Sequence, residues 1–378
     1  MIKEGRIKLV QVSADSVLGG GPKHILGILS NIDQNLFEPF LVCPPGYLSA
    51  EGKLISGVKV FNFNPKSKFD LFAILKLRSV FHQIKSSHDP FGPMIVHSHG
   101  SRGGLMARAA NLFGVKTVYT EHRFDQNFHL KNPINELIQK KILKKQNLRT
   151  DLLIAVSYSV KKYLVESRMA VEKKIAVIPN AIDLDEFRYK DLKENKAVGT
   201  RAPIIGTIGN LNYQKGQIYL IEAMKEIRKE CPLATLEIIG EGEERKILEA
   251  EIKRLGLKHA VTLLGRKSEV EKYMKHWSVF VLPSIAETFG IVILEAMHAG
   301  VPIVASSVGG VKDIITHNKN GILVPAKDKN ALADAIIDVL KRPALSAKLN
   351  REGRDRVADF SWRNIIKQIE ERYIELIM

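Results

Sequence analysis

Short apolar runs alternate along this chain with longer segments in which apolar residues recur at helical spacing. Such alternation predicts an α/β fold of parallel strands joined by helices, because a strand between two layers of helices is buried on both faces. The pattern occurs twice, which predicts two doubly wound parallel sheets. In the first half the apolar runs are 7–12, 37–43, 58–63, 94–97, 115–120, 152–156 and 175–178. In the second half they are 203–209, 235–240, 261–265, 279–283, 302–306 and 321–324.

A polar stretch without periodicity, residues 183–201, separates the two halves. We interpret it as a linker between an N-terminal domain of residues 1–182 and a C-terminal domain of residues 202–358, since 378 residues suit two domains of ordinary size. Ligands of such sheets bind beyond the carboxyl ends of the strands. The expected binding site is therefore a cleft where the carboxyl ends of both sheets face each other.

The composition is that of an ordinary globular protein. Cys43 and Cys231 lie far apart without metal-binding or redox spacing, which predicts two buried thiols in a reducing compartment. No apolar stretch approaches the roughly 20 residues that span a bilayer. We therefore expect a cytoplasmic protein or one that lies on a membrane surface.

Charge is distributed unevenly along the chain. Residues 1–182 hold 26 Lys and Arg against 13 Asp and Glu, and so carry +13 of the net charge of +16. Such asymmetry predicts an anionic partner, which could be nucleic acid, anionic lipid headgroups or a phosphate-bearing substrate. The sequence has no zinc-finger spacing and no basic-zipper heptads, which argues against nucleic acid.

A basic amphipathic segment, residues 132–149, lies in this half. Its apolar and basic residues are Ile134, Leu137, Ile138, Ile142 and Leu143, and Lys140, Lys141, Lys144, Lys145 and Arg149. This pattern is typical of a helix on a membrane surface. It is equally typical of a packed helix with a solvated face.

Two carboxylates, Glu287 and Glu295, flank a predicted junction between a strand and a helix. Glu287 falls in the loop, whereas Glu295 falls on a largely apolar helix face. An ionised carboxylate there is costly unless something hydrogen-bonds it, and the hydroxyls of a ligand would do so. The spacing alone also fits a loop acid followed by a solvated helical acid.

Four features rich in glycine or lysine lie where strands are predicted to end. They are Gly19-Gly20-Gly21, Lys215-Gly216, Gly309-Gly310 and Gly240-x-Gly242. Free backbone amides at a helix start can bind phosphate, and a lysine at that positive end favours a bound anion. Each feature alone also fits an ordinary turn. Their repeated position favours a nucleoside diphosphate.

Several motifs occur in order over nearly the whole chain. Besides the glycine run, they are His97-Ser-His99, Thr120-Glu-His122, Val156-Ser157, Ile178-Pro-Asn-Ala-Ile-Asp183, Gln214-Lys215-Gly216, Glu287-x-Phe289-Gly290 to Glu295, and Phe360-Ser361-Trp362. Together they resemble the retaining glycosyltransferases of glycosyltransferase family 4. That family has the GT-B fold, in which two Rossmann-like domains face each other across a cleft. The resemblance implies an acceptor-binding N-terminal domain, a C-terminal domain that binds the nucleotide-sugar, and a final segment, 359–378, that packs back on the first domain.

The resemblance also implies roles for residues of the C-terminal domain. Glu295 would bind the ribose of a nucleotide-sugar, while Lys215 and the amides near Gly309 and Gly310 would hold its diphosphate. Glu287 would face the donor sugar.

Other residues would surround the sugar. The backbone around Phe289 and Gly290 would bind its hydroxyls, and His122 matches a histidine beside the reacting sugar. Of the close pair His97 and His99, one is expected to be a hydrogen-bonded core residue, and His99 is nearer the cleft. The glycines of the first loop, Gly19, Gly20 and Gly21, would line the same cleft.

The chain departs from the family pattern at Asn210. The family usually has an arginine there, five positions before the lysine, and its guanidinium would neutralise charge on the leaving diphosphate. Asparagine cannot do so. Arg266, after the run 261–265, could substitute by its position at a sheet end, although a surface arginine fits that position better.

The sequence therefore predicts a retaining glycosyltransferase that uses neither a cofactor nor a metal. The donor would be a UDP-sugar, or else a GDP-sugar, and the acceptor a hydroxyl of a glycan or of a lipid-linked molecule. The basic half favours assembly of glycolipid, lipopolysaccharide, capsule or exopolysaccharide at the inner leaflet. The histidine pair 97 and 99 lacks a partner run with metal-ligand spacing.

Alternatives remain open. Asn210 favours a non-catalytic GT-B partner with a damaged donor pocket, and a nucleotide-sugar epimerase of the same fold would use the donor pocket without an acceptor. A nucleic-acid-binding protein is a more distant alternative.

Overall fold

The computed structural model describes residues 5–17, 19–67, 70–87, 92–122, 133–184 and 202–378, with side chains from residue 136 onward in the fifth range. These residues form two compact α/β units. The first comprises the described residues up to Ala181 together with Trp362–Met378, and the second is Ile182–Ser361. Most of the predicted linker, residues 185–201, lies outside the described residues.

The first unit is built on a sheet of seven parallel strands. They are β1 Ile7–Ser13, β2 Phe37–Cys43, β3 Lys59–Asn62, β4 Met94–His99, β5 Lys116–Glu121, β6 Leu152–Ala155 and β7 Ile175–Val177, in the spatial order β3-β2-β1-β4-β5-β6-β7. Its helices before the linker are α1 Gly20–Asn31, α2 Tyr47–Leu54, α3 Leu71–Lys85, α4 Ser101–Ala109, α5 Pro133–Asn147 and α6 Tyr158–Glu166, with a 3-10 turn at Glu172–Lys174.

The second unit has a sheet of six parallel strands. They are β8 Ile204–Ile208, β9 Thr235–Ile239, β10 Val261–Gly265, β11 Val279–Leu282, β12 Ile303–Ser306 and β13 Ile322–Val324, in the order β10-β9-β8-β11-β12-β13. Its helices are α7 Gln217–Glu230, α8 Arg245–Arg254, α9 Glu271–Met274, α10 Ile291–His298, α11 Val311–Ile314, α12 Lys329–Lys341 and α13 Pro343–Val357, with 3-10 turns at Tyr213–Lys215 and Ala358–Phe360.

All thirteen predicted strands are present, and the predicted class of doubly wound parallel sheets is confirmed. The largest difference is at β4, which continues two residues further, to His99. It does so because Ser98 and His99 still pair with β1 on one side and β5 on the other. In each sheet the order reverses once, between β1 and β4 and between β8 and β11. Such reversal points leave a crevice at the carboxyl ends of the strands.

The last helix, α14 Trp362–Ile377, belongs to the first unit and packs on α1. The Trp362 ring lies over Gly27, where a methyl group would be 1.9 Å from the ring atom Cζ2. The segment 359–378 that the sequence predicts contains this helix, which begins at Trp362. Phe360 stays in the second unit because its ring packs against Phe289, with the ring centroids 5.8 Å apart.

Among the described residues, no helix has the length and apolar character that crossing a bilayer requires.

The contact between α1 and α14 makes a prediction about two glycines of one helix. We expect Gly27→Ala to lower the free energy of unfolding by about 1–3 kcal/mol, because the methyl group overpacks the Trp362 ring. Gly21→Ala is the matched control, since a methyl group there meets nothing within 4 Å. It should leave stability unchanged or raise it by less than about 1 kcal/mol. Urea denaturation measures both, and equal losses would contradict the packing described here.

Candidate functional site

Three histidines from three elements of the first unit meet at the carboxyl end of its sheet. His24 lies on α1, His99 ends β4, and His122 directly follows β5. The ring centroid of His24 is 5.6 Å from that of His99 and 5.0 Å from that of His122. The Nδ1 atom of His99 lies 3.5 Å from Nε2 of His122. The structure therefore places His99 and His122 together, and adds His24, which the sequence analysis missed.

A chain of buried hydrogen bonds supports this cluster. The His97 ring lies between the Tyr373 hydroxyl, 2.5 Å from Nδ1, and the Thr120 hydroxyl, 2.6 Å from Nε2. The His99 Nε2–H donates to Gln11 Oε1 at 2.7 Å, and the Gln11 amide donates to the Tyr373 hydroxyl at 3.3 Å. His97 is thus the hydrogen-bonded core residue of the pair. His99 is the one that faces the cluster.

Burial makes all of these imidazoles neutral at neutral pH. Loss of hydration lowers the pKa of His97 to about 3 and that of His122 to about 4. The same cause, followed by repulsion from neighbouring histidines, holds the pKa of His24 and His99 well below 6.5. His122 can therefore exchange hydrogen bonds with a sugar hydroxyl, but it brings no positive charge to a phosphate.

The glycine run lies at the start of α1, which begins at Gly20 and is preceded by Gly19. A methyl group at Gly21 would meet nothing within 4 Å, and one at Gly19 would approach only a backbone oxygen, at 3.9 Å. Close packing therefore does not require a glycine at either of these two positions.

In the second unit, an ion pair joins the loops that follow β8 and β11. The Lys215 ammonium donates to Glu287 Oε2 at 2.5 Å, and the two side chains are 25% and 10% exposed. The Ile285 amide holds the loops together by donating to the Gln214 carbonyl at 2.7 Å. The anion beside Lys215 in this structure is a carboxylate of the protein. Lys215 ends a 3-10 turn and does not open α7, whose cap is Gly216.

The loop after Glu287 leads into α10. Gly290 caps this helix with φ 96°, a left-handed conformation that favours glycine. The Phe289 side chain is buried against Phe360, so only its backbone is left for a ligand. Glu295 is buried on α10, as its apolar helix face predicted.

The glycine pair after β12 lies in a turn that contacts the loop of Glu287. The Gly310 amide donates to the Glu287 carbonyl at 3.0 Å. Gly309, with φ 44°, directly precedes it in the turn. The weaker motif after β9 has a packing role, because a methyl group at Gly240 would lie 1.9 Å from the Gly209 carbonyl oxygen.

Asn210 and Arg266 lie at different places along this sheet. Asn210 is exposed in the loop after β8, two positions before Asn212, whose side chain caps the 3-10 turn of Lys215. Arg266 is exposed after β10, the edge strand, which β9 separates from β8. The strand order therefore does not bring Arg266 next to Lys215.

Ser284 is a further residue that the sequence analysis missed. It lies two residues after the end of β11 and is fully buried, and its hydroxyl has no hydrogen-bond partner in the described part of the chain. Its position at a strand end, three residues before Glu287, was the available signal.

Comparison with known proteins supports the fold and the order of the motifs. The profile of Glycosyltransferase Family 4 matches residues 18–186, and that of Glycosyl transferases group 1 matches residues 189–356. An uncharacterized glycosyltransferase of Methanocaldococcus jannaschii is 38% identical over 231 residues, which cover 58% of this chain and 59% of that protein. The UDP-Gal:alpha-D-GlcNAc-diphosphoundecaprenol alpha-1,3-galactosyltransferase of Escherichia coli is 28% identical over 325 residues, covering 83% of this chain and 80% of the enzyme.

The crystal structure of Anabaena HepE in complex with UDP is similar to the whole chain. The TM-score is 0.79 at 20% identity, with 98% of this chain and 100% of HepE covered. The predicted GT-B fold is thereby confirmed.

The hydrogen-bond chain below the histidine cluster makes a second prediction. Tyr373→Phe removes the hydroxyl that His97 and Gln11 share, and both lose a buried partner. We expect the free energy of unfolding to fall by about 1–3 kcal/mol. Tyr158→Phe, at an exposed tyrosine of the same unit, is the matched control and should change it by less than about 0.5 kcal/mol. If chemical denaturation shows no difference between the two variants, the chain does not support the cluster.

Proposed function

The chain belongs to glycosyltransferase family 4, the glycosyl transferases group 1, and from this premise we propose that it is a retaining glycosyltransferase. It transfers a sugar from a nucleoside-diphosphate sugar to a hydroxyl of a glycan or of a lipid-linked acceptor. The observation that carries the proposal is the ion pair of Lys215 and Glu287 at the point where the strand order of the second sheet reverses. Substrates of doubly wound sheets bind at such points.

The ion pair supports separate roles for Lys215 and Glu287 in donor binding. When the diphosphate arrives, the Lys215 ammonium exchanges the Glu287 carboxylate for phosphate oxygens. Glu287 is then free to accept hydrogen bonds from hydroxyls of the donor sugar, aided by the backbone of Phe289 and Gly290. Glu295 accepts hydrogen bonds from the ribose. Of the two glycine amides after β12, we assign that of Gly309 to the diphosphate, because the Gly310 amide donates to the Glu287 carbonyl.

The base is proposed to be uracil, with guanine as the second choice. The name of the Escherichia coli relative contains UDP-Gal, and Anabaena HepE was crystallised with UDP. Because the Lys215 ammonium needs only a diphosphate, this side chain does not distinguish between the bases.

Transfer requires stabilisation of a departing nucleoside diphosphate and of an oxocarbenium-like sugar. The acceptor hydroxyl attacks on the face that the diphosphate leaves, and a phosphate oxygen takes its proton, so the configuration is retained. In this scheme His122 exchanges a hydrogen bond with the sugar, and neither a metal nor a cofactor is needed. Asn210, in place of the usual arginine, leaves Lys215 as the cation assigned to the leaving group. Slow turnover is therefore expected.

The acceptor is proposed to be presented at an anionic inner-leaflet membrane surface. Leu137 and Ile138 are 54% and 49% exposed on α5, near the exposed Lys141, Lys144 and Lys145. A helix with exposed apolar and basic side chains can bind such a surface. The Escherichia coli relative is named for an acceptor that is linked to diphosphoundecaprenol. These observations support a role in the assembly of glycolipid, lipopolysaccharide, capsule or exopolysaccharide.

A non-catalytic GT-B partner is the second candidate, and Asn210 is the observation that favours it. Such a protein would bind the nucleotide through Lys215 and Glu295 but would not transfer the sugar.

Calorimetric titration with UDP, GDP and ADP tests the donor site. We expect one nucleotide, UDP, to bind, and Lys215→Met and Glu295→Gln each to weaken it at least about tenfold, or ~1.4 kcal/mol. Lys246→Met, at an exposed lysine of α8, is the matched control and should bind like the wild type. Absence of binding to any of the three nucleotides would overturn the donor site.

Flotation with vesicles of anionic and of neutral lipid tests the membrane surface. Three lysines of α5 are changed to glutamate in one variant, and three exposed lysines of the second unit in a control with the same net charge. The two sets are Lys141, Lys144 and Lys145, and Lys246, Lys253 and Lys258. We expect the first variant to lose binding to anionic vesicles, since each lysine contributes about 1 kcal/mol near such a surface. Equal loss in both variants would show only an effect of net charge.

A further inference from the structure

His24, His99 and His122 present one ring nitrogen each within a small volume of the first unit. These three ligand atoms all lie within 4.8 Å of one another. The residues come from a helix, a strand end and a loop, so no spacing along the chain reveals them. Imidazole nitrogens are preferred ligands of Zn²⁺ and of the neighbouring transition metals. The grouping is therefore chemically suited to a cation.

His24 gives an independent reason to expect a ligand. It is 3% exposed, and neither of its ring nitrogens has a hydrogen-bond partner among the residues that the structure describes. A buried polar group that lacks a partner destabilises the folded state, so such groups are rare in folded proteins. The ring packs edge to face against both His99 and His122, with Trp362 also in contact. A metal ion between the three rings would supply a partner for one of the two His24 nitrogens.

The hydrogen bonds of His99 set the geometry that a metal needs. Because its Nε2–H donates to Gln11 Oε1, the lone pair of the ring is on Nδ1, the atom that faces His122. A histidine that binds a metal through one ring nitrogen commonly donates the N–H of its other ring nitrogen to a hydrogen-bond acceptor. Two nitrogens of a tetrahedral zinc ion, each at about 2.0–2.1 Å from it, are about 3.4 Å apart. The 3.5 Å between His99 Nδ1 and His122 Nε2 matches this separation.

Solvent access also favours binding. His122 is only partly buried, which leaves solvent access to one side of the cluster. A water molecule or a substrate oxygen can therefore provide the fourth ligand, as in open zinc sites.

We propose that His24, His99 and His122 form a binding site for one divalent transition-metal ion of the Zn²⁺ type, with one open coordination position. The site goes beyond the proposed sugar transfer, which does not require it. In the proposed function His122 contacts the donor sugar. An ion bound to the same imidazole would compete with that contact and inhibit transfer reversibly. The metal would then act as a regulator of the enzyme.

Titration of the full chain with Co²⁺, after removal of metals with a chelator, tests the site. We expect one ion per chain and the intense visible absorption of tetrahedral Co²⁺. Competition by Zn²⁺ should abolish this absorption. His24→Leu and His122→Asn should each weaken binding at least about tenfold. His276→Asn, at an exposed histidine of the second unit, is the matched control and should not change it.

UDP titration and circular dichroism of the same samples show whether each variant is folded. The readout is metal binding itself, so a failure of the proposed sugar transfer would leave the result interpretable. Two outcomes would overturn the site. One is no bound Co²⁺ in the wild type, and the other is a folded His24→Leu or His122→Asn variant that binds Co²⁺ like the wild type.

Discussion

Parallel pairing of the strands is the constraint on which the rest of this structure depends. Each strand of a parallel sheet must be followed by a crossover, so every loop that leaves a carboxyl end lies at the same edge of the sheet. In the first unit this edge collects the start of α1, His99 and His122. In the second unit it collects the loops of Lys215 and Glu287. The chemistry of each unit follows from this geometry, because residues distant in sequence become neighbours there.

The carboxyl-end edges of the two sheets differ in their electrostatics, since one carries an ion pair and the other carries neutral histidines. In the second unit, a lysine and a glutamate neutralise each other in a half-buried position, which is favourable only while each has a partner. In the function proposed above, an arriving diphosphate replaces the carboxylate as the partner of Lys215. In the first unit, burial keeps four histidines neutral, and hydrogen bonds through Tyr373 of α14 hold two of them.

Much of this could be predicted from sequence. Buried parallel strands are continuous apolar runs, so all thirteen were found, and the residues after them were placed at the correct edge. Tertiary partners could not be predicted. Local sequence does not show that the Gly310 amide is taken by Glu287, or that Gly240 is a glycine because the Gly209 carbonyl approaches it. The sequence analysis missed His24 because this residue lies on an apolar helix face. Only its contacts with the rings of His99 and His122 show that it belongs to the cluster.

In the proposed function, Glu287 holds Lys215 until a diphosphate takes its place. UDP affinity and sugar transfer of Glu287→Gln, measured beside the wild type, test this exchange. If it occurs, the variant frees the Lys215 ammonium, so UDP binds at least as tightly while transfer falls at least about a hundredfold, or ~2.7 kcal/mol in the barrier. If UDP binding is instead lost along with transfer, Glu287 supports the fold of the site, and the exchange described here does not occur.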